Sequence, residues 1–350
     1  MKIAIIGDTH FGARGDAPIF LNHFLKFFEE QFFPYLKQYG ITKVIHLGDL
    51  FDRRKYVNFV TAKLCREAFL EELQNRRIAT YVIPGNHDVY FKDTNSVNAL
   101  DELVRGRYPY IGIIDKPYEI NNDGCQILML PWITKDNYDE CMEAIKNTTA
   151  KVLCGHLELI GFEMHKGQVA EHGMDQNIFS KFTRVFSGHY HHRSGRGNIV
   201  YLGAFGYYTW ADHDDYRGFA IFDTEKTEVE FIRNKFSPFK TIQYDESNPI
   251  TEFDKYQDCY VKVYIKNREN LYLFDQFMDK LYDAKPADIS IIEDDLLTVT
   301  SDDEALDGTE DTATILSNYI DGLTLQVDSG KMKSYMRDVY TEALTLGHNE

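Results

Sequence analysis

Cysteine is scarce: there are five in 350 residues, Cys65, Cys125, Cys141, Cys154 and Cys259, widely spaced and without a Cys-x-x-Cys pair. A disulfide framework and a thiolate zinc site are thereby excluded, and a reducing compartment is expected. Long apolar runs are missing too. No stretch approaches the roughly 18 uninterrupted apolar residues of a spanning helix, and the start MKIAIIGDTH lacks the basic region and small-residue cleavage site of a secretory signal. A soluble, intracellular protein is expected. There is no internal repeat and no Gly-x-x-x-x-Gly-Lys phosphate loop, so ATP hydrolysis would have to come from another chain. Positive charge is in deficit, with a net charge of −17, which opposes a polyanionic partner. Yet ten acidic residues lie between Asp288 and Asp311 with no Lys or Arg among them. The remainder is only mildly acidic, and bound cations would reverse its field locally.

What is present is 43% hydrophobic residues, enough for one large core and one or two smaller modules. Over the first 240 residues, short apolar runs alternate with amphipathic helical patterns: Ile3–Ile6, Val44–Leu47, Tyr81–Ile83, Ile127–Leu130, Val152–Cys154, Val185–Phe186 and Ile199–Leu202 read as strands, and Ile19–Leu36 and Phe59–Leu73 as helices. This is an α/β pattern with strongly buried strands. Phe219–Phe222 and Val229–Ile232 read as a hairpin closing that domain. Residues 241–297 read as a small β-α-β module with its strands at Cys259–Lys266 and Ile289–Ile292 and its helix at Leu271–Leu281. Residues 298–311 read as an acidic, solvated linker, and 312–350 as two amphipathic helices.

Five segments share one design, in which an apolar run stops and metal-ligating residue types follow at once. They are Gly7-Asp8-Thr9-His10, Gly48-Asp49-Leu50-Phe51-Asp52, Pro84-Gly85-Asn86-His87-Asp88, Gly155-His156 and Gly188-His189-Tyr190-His191. The carboxyl ends of strands in α/β sheets are where ligands gather, so five loops would converge on one place. On an extended chain, Asp8 with His10 and His189 with His191 would each point to one side as a pincer. Carboxylates, imidazoles and an amide carbonyl without thiolate favour two hard divalent ions, Mn²⁺ ahead of structural zinc, and leave Mg²⁺, Fe²⁺ and Zn²⁺ open. Asp49 is the candidate bridge between them. His23, His46 and His165 read as packed or solvated.

In this order, Asp-x-His, Gly-Asp-x-x-Asp, Gly-Asn-His-Asp, Gly-His and Gly-His-x-His resemble the five motifs of the calcineurin-like metallophosphoesterase superfamily. Within it, Asp8-Thr9-His10-Phe11-Gly12 and the C-terminal modules resemble the SbcD-type DNA repair nucleases, and the segment from His156 to Gly167 is similar to the recombination nucleases of T4-type bacteriophages. The resemblance implies a β-sandwich flanked by helices (α/β/β/α), with a small α+β capping domain that contacts DNA and C-terminal helices that dock a partner. It implies that Asp8, His10, Asp49 and His191 hold one ion, that Asp49, Asn86, His156 and His189 hold the other, and that His87 faces the scissile phosphate as the catalytic group. Thr9 departs from the family, where an aromatic residue is common, and Asp52 stands where some archaeal members have histidine. Asp52 and Asp88 are expected behind the ligands.

The activity so implied is phosphodiester hydrolysis in DNA, exonucleolytic or endonucleolytic, in break repair, recombination and replication. The partner implied is an SbcC-like, ABC-type coiled-coil ATPase, with this chain as a homodimer within a heterotetramer, in the cytoplasm of a bacterial host. Arg53, Arg54, Lys55, Arg193 and Arg196 flank the proposed centre and are candidates for gripping DNA phosphates. Tyr207, Tyr208 and Trp210 read as packing more readily than as base-stacking groups. No base-reading motif is present. Met332, Tyr335, Met336, Val339 and Tyr340 form the adaptable apolar face assigned to the ATPase. Two alternatives stand beside this reading: a phosphatase or small-molecule phosphodiesterase on the same fold, and an inactive scaffold of an ATPase complex.

Overall fold

The structure, a computed structural model, describes residues 1–293; the expected acidic linker and partner-binding helices lie outside the described residues. In chain order the strands are β1 (Lys2–Ile6), β2 (Lys43–His46), β3 (Ala79–Val82), β4 (Ile111–Ile113), β5 (Tyr118–Asn122), β6 (Cys125–Leu130), β7 (Val152–His156), β8 (Glu163–His165) and β9 (Gln168–Val169), then β10 (Arg184–Gly188), β11 (Ser194–Arg196), β12 (Ile199–Tyr201), β13 (Gly218–Asp223), β14 (Glu228–Arg233), β15 (Phe239–Asp245), β16 (Tyr260–Asn267) and β17 (Asp288–Glu293). They build one six-stranded sheet in the order β14-β13-β1-β2-β3-β4 and another in the order β11-β12-β10-β7-β6-β5.

Why the central strands read as unbroken apolar runs is plain from where alternate residues go. In β1, Ile3 and Ile5 enter the core between the two sheets, whereas Ala4 and Ile6 join the core under the helices. The same division holds in β6, where Ile127 and Met129 face the other sheet and Leu128 and Leu130 face the helix Tyr138–Asn147. Each sheet is thus covered on both faces, giving four layers, helix, sheet, sheet, helix, as the α/β/β/α expectation has it.

The helical cover of the first sheet is aromatic. Both helical stretches, 18–38 and 59–75, are π-helical in their middles, at Phe27–Phe32 and Arg66–Leu70. Phe28 sits at their meeting point, with ring centroids 5.8 Å from Phe11, 4.9 Å from Phe69 and 5.4 Å from Phe205. Phe28→Ala should therefore cost about 3–5 kcal/mol, read as a shifted denaturant midpoint with unchanged m-value. A loss below about 1 kcal/mol would mean that the site collapses freely and that this cluster is not tightly packed.

The β13–β14 hairpin is antiparallel, and β13 pairs antiparallel with β1. A strand is added to the expected β-α-β: β15, β16 and β17 form a parallel sheet that begins at Phe239. Phe239 packs on Phe20 (6.0 Å), Trp210 (5.0 Å) and Tyr260 (5.6 Å). Among the described residues no helix is long and apolar enough to cross a membrane.

Candidate metal centre

Parallel registry brings the five loops together. Ile6 lies opposite His46 in β1 and β2, His46 opposite Val82 in β2 and β3, and His156 opposite Gly188 in β7 and β10. The chain therefore leaves three strands of one sheet and two of the other at matched heights, and the polar residues that follow meet in the space between.

The meeting is dense. Asp49 Oδ2 is 3.6 Å from His10 Nε2 and 3.3 Å from His156 Nε2, so one carboxylate oxygen faces both halves of the cluster. His10 Nε2 and His191 Nε2 are 3.0 Å apart, and with Asp8 they offer three ligand atoms within 4.8 Å of one another. On the other side, Asn86 Oδ1 lies 2.9 Å from His156 Nε2 and 2.9 Å from His189 Nδ1. All seven residues predicted as ligands are brought together, as is His87, whose ring stands edge-to-face on His10 at 4.8 Å.

The supporting bonds fix which atoms point inward. His156 Nδ1–H donates to the Leu47 carbonyl (2.7 Å), which frees Nε2 for the centre. His10 Nδ1 faces Asp52 Oδ1 at 3.4 Å, again turning Nε2 inward. Asp88 accepts from the Gly85, Phe51 and Leu50 amides at 2.9, 3.1 and 3.3 Å and so pins the second and third loops together. Gly48 N–H donates to His46 Nδ1 (3.2 Å), so His46 Nε2–H donates to Thr9 Oγ1 (3.0 Å), whose own proton goes to the Leu50 carbonyl (3.2 Å). His46 is a packed histidine, as read from the sequence, and Thr9 is its partner.

One expectation is corrected. Asp8 and His10 do not form a pincer on an extended chain: Asp8, His10, Asp49 and His189 have φ of 51°, 41°, 55° and 88°, in the left-handed region. Aiming comes from tight turns that tertiary bonds hold. His189 N–H donates to Asp8 Oδ1 (2.9 Å), and Tyr208, which sequence reasoning placed with packing residues, donates its hydroxyl proton to the Asp8 carbonyl at 2.6 Å. Trp132 and Arg217 were missed altogether. Trp132 lies against the His156 and His189 rings at 5.7 and 5.1 Å, and buried Arg217 donates to the His191 carbonyl while pairing with Asp212 and Asp215. These contacts join positions up to two hundred residues apart, and no local sequence pattern signals them.

The electrostatics are those of a cation site holding protons. Burial would lower the pKa of His10, but the Asp52 contact and the Asp49 charge prevail and raise it to about 9. Burial likewise opposes protonation of His156, and Asp49 raises it to about 9. Burial pushes Asp8 up to about 6 against the pull of His156. Asp49 resists the same burial, since the protonated His156, helped by His10, holds it well below the usual carboxylate range.

Divalent ions fit these residues on two observations. Asp8 Oδ2 is buried with no hydrogen-bond partner, a costly state that a cation would relieve. A Cβ on Gly85 would come within 2.2 Å of Asp49 Oδ1, and one on Gly188 within 2.8 Å of Asp8 Oδ2, so the cradle is kept open by the absence of side chains.

Because His10 and His156 hold protons below about pH 9, an ion taking their inward nitrogens must expel them. Binding should therefore weaken as pH falls from 9 towards 6, by about tenfold per unit for each proton displaced. Mn²⁺ calorimetry at pH 7 in two buffers of different ionisation enthalpy should register proton release, and none would contradict the assignment. Asp52→Asn should separately weaken Mn²⁺ binding about 10–100-fold, the usual cost of removing a carboxylate behind a histidine ligand. Unchanged affinity would show that Asp52 does not orient His10.

The candidate DNA-gripping residues are less uniform. Arg53 pairs with Asp16 (3.1 Å) and stacks on Tyr56, and Arg193 lies 3.5 Å over Phe231. Arg196 lies over Phe162 at 5.6 Å. Arg54 keeps a buried Nη1 without a hydrogen-bond partner, and Lys55 is exposed.

Comparisons with known proteins agree with this geometry. Exonuclease subunit 1 of Enterobacteria phage T4 is 31% identical over 350 residues, covering 98% of this chain and 99% of that protein. A solved structure described as a novel archaeal phosphodiesterase covers 67% of this chain and 99% of its own at 18% identity, with a TM-score of 0.32, too low to bear on the fold. Residues 1–216, which carry all five loops, match the family of calcineurin-like phosphoesterases. This chain, with its divalent-cation centre at the strand ends, belongs to the calcineurin-like phosphoesterase family.

Proposed function

We propose that this protein is a metal-dependent DNA nuclease, hydrolysing phosphodiester bonds as an exonuclease and endonuclease in break processing, recombination and replication. The observation that supports this over a phosphatase is the likeness to the phage exonuclease subunit, which runs through 98% of the chain and so includes residues beyond the catalytic fold. On this reading Asp8, His10, Asp49 and His191 hold one ion and Asp49, Asn86, His156 and His189 the other. The all-oxygen-and-imidazole donor set favours Mn²⁺, with Mg²⁺ as the substitute. Ions so held neutralise charge on the phosphate oxygens and lower the pKa of a water molecule.

The rest of the work falls to the chain. His87 is partly exposed beside His10, and its backbone N–H donates to Asp49 Oδ1 (2.7 Å) while its Nδ1–H donates to the Asp52 carbonyl (2.5 Å). Burial holds its pKa below the usual imidazole range, so the resting ring is neutral with Nε2 unprotonated. To protonate the departing 3′ oxygen it must first take up a proton at Nε2, which the nearby negative phosphate favours. Arg54 and Lys55 serve the phosphates on either side, and the small module of residues 241–297 extends the DNA-binding surface. The face of Met332, Tyr335, Met336, Val339 and Tyr340 docks an ABC-type coiled-coil ATPase, two copies of this chain joining in a heterotetramer.

The test gives purified protein with Mn²⁺ or Mg²⁺ labelled double- and single-stranded DNA beside a chromogenic phosphomonoester, with and without the ATPase. DNA should be cut and the monoester spared. Intact DNA beside a hydrolysed monoester would establish the phosphatase instead, and neither reaction with metal bound would leave a scaffold.

A further inference from the structure

We infer that the cleft beside His156, walled by Trp132, seats the base of the nucleotide next to the scissile phosphate. The inference rests on the nuclease reading and adds how the substrate is held. The cleft has a volume of about 570 Å³, within the range of about 300–1,000 Å³ for small-molecule sites. Trp132, Lys135, Tyr138, His156, Glu158 and Met174 contribute to its lining. His156 joins it to the metal centre, being 2.9 Å from Asn86 Oδ1 on one side and a wall of the cleft on the other.

Trp132 is built to stay in place. Its backbone N–H donates to the Pro84 carbonyl (2.8 Å), at the root of the loop carrying Asn86 and His87. Its own carbonyl accepts from Asn95 Nδ2 (2.7 Å) and Asn137 Nδ2 (3.0 Å). The indole is tilted at 41° on His189 and stands edge-on to His156, yet it is only half-buried, so part of the ring is left to the cleft.

Charge decides what enters. Lys135 is opposed by Asp139 and Glu158 in the same lining, so the cleft has no cationic excess to hold a second phosphate. Aromatic and apolar surface with two carboxylates at hand suits a flat neutral ring with N–H donors on its edge, which is a nucleobase. Stacking on an indole is tolerant of which base is present, in keeping with a chain that has no base-reading motif.

The experiment uses the full chain with Mn²⁺ and a duplex oligonucleotide of mapped cleavage position, either intact or lacking the base on one side or the other of the cleaved bond. The parental protein is compared with Trp132→Ala and Trp132→Phe. Base removal on one side should raise the parental KM by about tenfold or more, the scale of one lost base–aromatic stack. Trp132→Ala should raise KM for the intact duplex similarly, gain no further penalty from the abasic duplex and bind Mn²⁺ as before, while Trp132→Phe keeps most of the parental behaviour. An unchanged KM in Trp132→Ala would overturn the inference. So would an equal abasic penalty in both proteins, or a loss of Mn²⁺ binding that accounts for the whole defect and leaves the ring a mere prop for the imidazoles. A parental protein that leaves the intact duplex whole while hydrolysing a phosphomonoester would instead overturn the nuclease reading.

Discussion

Asp49→Ala is expected to bind no divalent ion at concentrations that saturate the parental protein, and to lose at least about 10³-fold in kcat/KM, or some 4 kcal/mol of transition-state stabilisation. One oxygen of this carboxylate lies within 3.6 Å of His10 Nε2 and within 3.3 Å of His156 Nε2, so both halves of the cluster depend on it. The other oxygen holds the amide of His87. Its removal also strips buried His10 and His156 of the charge that sustains their protonation, and breaking such a buried pair from one side costs about 3–5 kcal/mol. Stability and metal uptake should be measured together, with Asp49→Asn as the variant that keeps shape and the amide contact. A folded Asp49→Asn protein that takes up two ions per chain at parental affinity would refute the bridging assignment.

His87→Gln should separate chemistry from assembly. The Nδ1–H of its imidazole goes to the Asp52 backbone carbonyl and not to a side chain of the seven proposed ligands. Metal uptake should be preserved while kcat falls about 10²–10⁴-fold, the range for loss of general acid–base help. The pH profile should lose the limb belonging to this group: if His87 acts as the acid, parental turnover declines as pH rises through its pKa in the complex, and His87→Gln shows a flat response there. A variant that turns over at the parental rate would remove His87 from the chemistry.

Much of this centre is visible in the primary structure for a physical reason. Strands covered on both faces carry apolar runs without the usual alternation, so β1, β2, β7 and β10 announce themselves, and their ends are marked by the abrupt arrival of Asp, Asn and His. The short edge strands β4, β5 and β11 carry no such signature, and β15 mixes polar with apolar residues because it lies in the small three-stranded sheet with its polar positions facing out. Nor does local pattern foretell the π-helical middles of the two helical stretches, which meet at Phe28 and Phe69. The supporting contacts are hidden most deeply. Tyr208, Trp132 and Arg217 act on loops far away in sequence, and a tyrosine that holds a ligand loop looks like any other core tyrosine until its hydroxyl is placed. His46 and Thr9 show the converse: one reads as a packed histidine and the other as a departure from the family, and together they link β2 to the Leu50 carbonyl.

The left-handed turns at Asp8, His10, Asp49 and His189 constrain how this centre can drift over generations. Asn and Asp tolerate that backbone more readily than other residues, and histidine is enriched there, whereas a β-branched side chain collides with its own main chain. Inactive descendants should therefore pass through Asn or Gly at these four places far more often than through Val or Ile, because the former keep the turn while silencing the ligand. At these positions the backbone turn can thus outlive the ligand that it carries.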